Sequence, residues 1–298
     1  MNAVSRQTPC MTYELSGTGI WSSALRYGDL GPAAEAAVEL QALGYTAVWL
    51  PDIGGDLYTP LANALAATDT LTVATGILNI WMHEPADVGE RRRQLVDEHG
   101  PRLLLGLGVS HAPLIDMAEA GRYSKPLSKM REYLDGLDAA PDPVPASDRV
   151  LAALGPKMLE LARTRAGGAH PYLVTPEHTA VAREALGEGP LLAPEQAVVL
   201  ETDPERARAL ARTHLAGYLG LPNYANNWFR SGFTPEDTAD GGSDRLVDAL
   251  VVWGDESTIR ARVDEHRSAG ADHVCIQVLS DEQLPFDDWR RLAPVLID

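Results

Sequence analysis

Strand-like and helix-like patterns alternate almost without interruption along this chain, and that alternation limits the fold more than any other feature. Strand-like segments fall at 12–15 (weakly), 46–50, 71–80, 102–109, 150–154, 170–174, 197–200 and 272–279. Helical pattern follows each. Ala33, Ala36, Ala37, Leu40 and Leu43 recur at helical spacing, and Gly44 stands where a C-terminal cap belongs. Pro85 takes the favoured first position of a helix, and Thr175-Pro176 and Asp203-Pro204 each read as cap plus first helical residue. Asp255 caps a helix that ends at Gly270. The strand at 102–109 is continuous in leucine before it meets glycines, as in a parallel sheet covered on both faces. Eight such units predict an α/β fold closed into a (β/α)8 TIM barrel, with an open doubly wound sheet as the alternative. Two segments interrupt the alternation, 110–123 after strand four and 223–242 after strand seven, and both read as insertions.

The chain has 298 residues, enough for one barrel-sized domain spanning 1–298. Composition shifts nowhere in a way that marks a linker. Its formal charge of −17 comes from 25 basic and 42 acidic side chains. So acidic a surface repels phosphate backbones and anionic lipid, which disfavours nucleic-acid and membrane-surface partners. Solubility is the plain reading of the charge; steering of a cationic substrate is the sharper one. No apolar run is long enough to span a membrane, and the N-terminus lacks the basic and apolar segments of a signal peptide, so the chain reads as cytoplasmic. Cys275 lies in an apolar run and reads as a small core residue.

In barrels of this kind the loops after the strands build the active site. That rule singles out Trp21, Asp52, Asn79 with Trp81 and His83, Ser110-His111, Gly155-Pro156-Lys157, His170, Glu201 and Gln277. Gly76 lies within a strand, which suggests either a bulge or close approach by a ligand. Gly106 and Gly108 raise the same question one strand later. Gly155-Pro156-Lys157 opens a helix, where free amides and a lysine make an anion site; an ordinary cap is the other reading. Gly167-Gly168 can bring backbone amides to the same anion, or form an ordinary turn. Metal chemistry is not indicated: no His-Glu-x-x-His pattern occurs. There is no nucleophile elbow and no phosphate loop. His99, His214 and His266 fall on helices and read as structural.

The order of three segments resembles the luciferase-like monooxygenase superfamily: Leu43-Gly44-Tyr45-Thr46-Ala47-Val48-Trp49-Leu50-Pro51-Asp52, then Val73-Ala74-Thr75-Gly76-Ile77, then Leu104-Leu105-Gly106-Leu107-Gly108-Val109-Ser110. Leu154-Gly155-Pro156-Lys157-Met158-Leu159-Glu160 and Ala169-His170-Pro171-Tyr172-Leu173-Val174-Thr175-Pro176 are similar to the actinobacterial branch of oxidoreductases using the deazaflavin coenzyme F420. The resemblance implies a luciferase-like barrel with the tricyclic ring at the strand ends. It implies a bulge at Gly76-Ile77, often a non-proline cis peptide, behind that ring. Asn79 then faces the cofactor, Asp52 is the acidic residue after strand two, and the phosphate lies toward Gly155, Pro156, Lys157, Gly167 and Gly168. Gly108, Ser110 and His170 complete the implied cofactor set. Several deazaflavin-dependent relatives carry Asp-His after strand two, whereas here Ile53 follows Asp52. Proton handling therefore falls to Asp52, His83 or His111.

Three functions fit these residues. The first is hydride transfer between F420 and a small organic substrate, with Trp21, Trp81 and the insertion at 223–242 as candidates for the substrate wall; packing in the core is the other reading of the two tryptophans. The second is an FMN-dependent monooxygenase supplied with reduced flavin by a separate reductase. The third is a ligand-binding barrel without catalysis. Superfamily members are often homodimers, so the resemblance implies that assembly too.

Overall fold

A computed structural model describes residues 15–297. Eleven parallel strands form its sheet: β1 (Gly17–Trp21), β2 (Ala47–Leu50), β3 (Thr72–Thr75), β4 (Leu78–Asn79), β5 (Leu103–Gly108), β6 (Arg149–Leu151), β7 (Gly168–Ala169), β8 (Leu191–Leu192), β9 (Glu195–Val199), β10 (Val251–Trp253) and β11 (His273–Val278). β1 pairs with β2 on one side and β11 on the other, and the ladder continues through β3, β5, β6 and β7 to β8. Only Ala193 and Pro194 separate β8 from β9. Because β9 pairs with β11, one bent segment joins both ends of the ladder, and the sheet curls on itself as in a TIM-type barrel. β10 adds to β9 alone, outside that circuit.

Side chains alternate across the strands. On β2, Ala47 and Trp49 point into the barrel with Trp21, Ala74, Leu104 and Cys275, while Val48 and Leu50 join the core beneath the helices. The helices Leu30–Ala42, Tyr58–Ala67, Pro85–His99, Pro126–Ala139, Pro156–Arg165, Pro176–Leu186, Pro204–Leu215, Glu256–Ser268 and Phe286–Leu296 follow the strands. Thr175, Asp203 and Asp255 cap theirs with side-chain oxygens. Among the described residues no helix is long and apolar enough to cross a membrane.

Four sequence expectations change. Residues 12–14 of the expected first strand lie outside the described residues; β1 occupies 17–21, read from sequence as loop because of its two glycines. Gly19 is required there: a Cβ would come within 2.7 Å of the His273 ring and 2.8 Å of the Ala47 carbonyl. The expected strand at 71–80 is broken into β3 and β4 at Gly76-Ile77. The strand expected at 170–174 lies earlier, at β7, where glycine lets the Leu191 carbonyl approach a position a Cβ would fill. β10 went unread because its apolar residues continue the pattern of the helix Asp244–Leu250 before it.

Candidate active site

The C-terminal ends of the strands open onto a cavity of about 610 Å³. Such concave, mostly apolar spaces are where small ligands bind. The structure brings most of the expected residues to its wall: Trp21, Asp52, Gly76, Ile77, Gly108, Ser110, His111, Gly155, Pro156, Lys157 and His170. Asn79, Trp81, His83, Gly167 and Gly168 are not among its lining residues. Each of these five has an observable place elsewhere.

The acidic residue after β2 anchors the floor. Asp52 is buried, and its oxygens accept from the Gly54 amide (3.1 Å), the Asn79 amide (3.1 Å) and His83 Nε2 (2.8 Å). Arg26, also buried, brings Nη2 to 4.0 Å from Asp52 Oδ1. Asp52 thus ties β2 to β4, and His83 orients its carboxylate from behind the cavity wall. Asn79 turns its Oδ1 to the Trp81 amide at 3.1 Å. Trp81 donates its indole N–H to the Val109 carbonyl at 2.8 Å and packs on Tyr123, which does line the cavity. Ile53 lines the cavity and is 64% exposed, an apolar group at the mouth.

The Gly76–Ile77 peptide bond is cis. Protein atoms account for the glycines around it. A Cβ at Gly76 would lie 2.6 Å from Trp21 Nε1, which donates to the Gly76 carbonyl at 2.8 Å, and a Cβ at Gly108 would lie 2.5 Å from the Ile77 side chain. Close approach is the reason for glycine here, and the approaching groups are Trp21 and Ile77. Gly167 is held by its amide on the Arg149 carbonyl, and Gly168 belongs to β7, so both serve strand packing.

At the other end, Gly155 precedes the helix Pro156–Arg165, which has no side-chain cap. Lys157 lies in its first turn, and Arg230, exposed at the end of the helix Pro222–Arg230, places Nη2 3.7 Å from a Cβ position on Gly155. Two cationic side chains and a helix N-terminus thus lie in one part of the cavity wall, and groups of that kind favour negative charge. Sequence reasoning missed Arg230, although it lies within the segment read as substrate wall.

That segment and β7's loop supply an aromatic wall. The Tyr172 hydroxyl donates to Gln277 Oε1 at 2.8 Å and sits 3.2 Å from the Tyr218 hydroxyl, and its ring packs on Trp21 and Tyr224. His111 Nδ1 lies 3.1 Å from Asn223 Oδ1, and burial lowers its basicity. Glu195 is fully buried at the start of β9. Its Oε2 accepts from the Leu173 amide at 3.1 Å, Oε1 has no hydrogen-bond partner, and burial pushes its carboxyl up to about 8. Sequence reasoning left Glu195 outside a strand because a proline precedes β9 and two polar residues open it.

A curled parallel sheet with an apolar cavity at its strand ends defines an α/β barrel of the TIM type. The family model of the luciferase-like monooxygenases matches residues 14–273, and the chain belongs to that family. It is 25% identical to the Mycobacterium tuberculosis (strain ATCC 25618 / H37Rv) protein named "Putative coenzyme F420-dependent oxidoreductase Rv3520c", over 89% of this chain and 95% of that one. Among solved structures, the coenzyme F420 dependent tetrahydromethanopterin reductase from Methanopyrus kandleri superposes with a TM-score of 0.75 at 17% identity, covering 95% of this chain and 100% of that one. The oxygenating constituent of 3,6-diketocamphane monooxygenase from Pseudomonas putida, in complex with FMN, superposes with a TM-score of 0.65 at 15% identity, covering 95% and 98%.

Proposed function

We propose that the chain is a deazaflavin-dependent oxidoreductase, a single catalytic domain that moves a hydride between coenzyme F420 and a small organic substrate. The observation that carries this reading is the cavity itself: an apolar slot walled by Gly76-Ile77 and the Trp21–Tyr172 aromatics, with the Lys157–Arg230 rim for an anion. A tricyclic ring with a phosphate-bearing tail has that same division of apolar and anionic parts. Similarity to the mycobacterial F420-dependent relative along nearly the whole of both chains supports the deazaflavin.

When bound, F420 supplies hydride transfer at its central ring carbon; the protein supplies position, dryness and protons. Gly76, Ile77, Gly108 and Ser110 shape the ring seat. Gly155, Pro156 and Lys157, with Arg230, hold the phosphate. Trp21 and Tyr172 wall off the substrate and exclude water. Asp52, held by His83 and Asn79, fixes the loop after β2, and His111 at the cavity wall is the group that moves a proton. The resident FMN in one structural relative favours a second reading, oxygenation with reduced FMN from a separate reductase; oxygen uptake with reduced FMN tests it.

The rim is tested by Lys157→Met and Arg230→Met. Each should weaken oxidised F420 about tenfold, a loss of about 1.4 kcal/mol, in a fluorescence titration. Unchanged affinity in the double variant would remove the anion seat from the account.

A further inference from the structure

One buried polar atom in the cavity wall has no partner. His170 follows β7, is 1% exposed and lies flat on Trp49, with ring centroids 4.1 Å apart and planes inclined by 13°. Its Nδ1 is 2.7 Å from the Ala193 carbonyl oxygen. A carbonyl only accepts, so the hydrogen is on Nδ1. Burial also disfavours the charged ring, whose pKa falls to about 4, so the imidazole is neutral and Nε2 keeps a bare lone pair. Nε2 is buried without a hydrogen-bond partner, and the ring lines the cavity. Leaving such an acceptor unpaired costs free energy that a ligand with a matching donor recovers.

The charged groups around the cavity do not duplicate this acceptor. Lys157 and Arg230 can only donate. The Asp52 oxygens are taken by Gly54, Asn79 and His83. We infer that His170 is a specificity-determining acceptor: the ligand that fills this cavity presents an N–H or O–H to Nε2, and one offering only a carbonyl or carboxylate oxygen there is refused. This rests on the proposed function only in treating the cavity as a ligand site, and does not require F420. Trp49 and the Ala193 carbonyl fix the ring in plane and tautomer, so the acceptor is built into the barrel wall. A site that hydrogen-bonds a donor rejects analogues lacking it far more strongly than an apolar pocket can.

The test uses the full chain with 15N-labelled histidine, and phenol and anisole as probes, which share a ring and differ in the O–H. In the free protein His170 should show protonated Nδ1 and unprotonated Nε2. Phenol should move the Nε2 resonance toward its protonated position, whereas anisole should not. His170→Phe keeps a flat ring over Trp49 and should weaken phenol about tenfold while leaving anisole unchanged. Should that variant not fold, the comparison of phenol and anisole on the unaltered protein decides by itself. A protonated Nε2 in the free protein, or equal responses to the two probes, would overturn the inference. Movement with phenol in a protein that does not bind F420 supports this inference and rejects the cofactor, so the two claims fail separately.

Discussion

At the scale of single residues, the interior of this barrel is defined by ionisable groups held neutral. Glu195 is the clearest case. Its carboxyl is pushed up to about 8 from an ordinary 4.5 because burial penalises the carboxylate more than the Leu173 amide stabilises it. Between those values the folded chain binds a proton that the unfolded chain has released, so stability is full below about 4.5 and is lost as pH rises through about 8. Glu195→Gln removes that dependence. Urea unfolding should show the variant gaining on the natural protein by up to about 1.4 kcal/mol per pH unit across the window. A constant difference between pH 5 and pH 8 would mean that Glu195 is ionised in the fold. Little of this was legible in the sequence, where a glutamate beside a proline reads as surface turn. His170 was legible as a strand-end residue, but its tautomer depends on Ala193, which is distant in sequence.

At the scale of elements, caps and helices were legible and short strands were not. Thr175, Asp203 and Asp255 each accept from a first-turn amide, the local chemistry their positions predict. The helix Pro156–Arg165 opens where Gly155-Pro156-Lys157 signals a helix start. Thr175→Ala should therefore cost about 1 kcal/mol in chemical denaturation; no measurable loss would show that the cap is replaced. β1 and β7 escaped because their glycines answer to neighbours distant in sequence: His273 and Ala47 for Gly19, Leu191 for Gly168. Such approaches leave no periodic trace. Gly168→Ala should destabilise by roughly 3 kcal/mol, since backbone must shift to admit the methyl group. Gly155→Ala meets nothing nearer than 3.7 Å and should lie within about 0.5 kcal/mol of the natural chain. Equal effects in thermal melts would contradict the close packing of β7 on β8.

At the scale of the whole molecule, the alternation of strand and helix specified a curled parallel sheet, and the site followed because strand ends converge. Candidate residues were legible wherever a loop follows a strand. Which of them reach the cavity was not: His83 and Asn79 hold Asp52 from behind, while Arg230 arrives from a segment with no strand of its own. The fold also takes histidines out of water, on helices as well as on strands. His170, His214 and His273 are lowered to about 4 and His266 to about 3 from 6.5, chiefly by burial. The folded chain thus binds fewer protons than the unfolded one in this range, so stability present above about 6.5 should be lost as pH falls through about 4. With Glu195 acting in the opposite sense, unfolding free energies should peak near pH 6.5; a protein most stable at pH 5 would contradict the neutral histidines. The central claim, that the cavity at the strand ends is built for a deazaflavin, is tested most directly by titrating the purified chain with oxidised F420 and FMN side by side, following ligand fluorescence. The account predicts saturable binding of F420 at least about tenfold tighter than FMN, a difference of about 1.4 kcal/mol. Binding of FMN alone, or of neither, would contradict it.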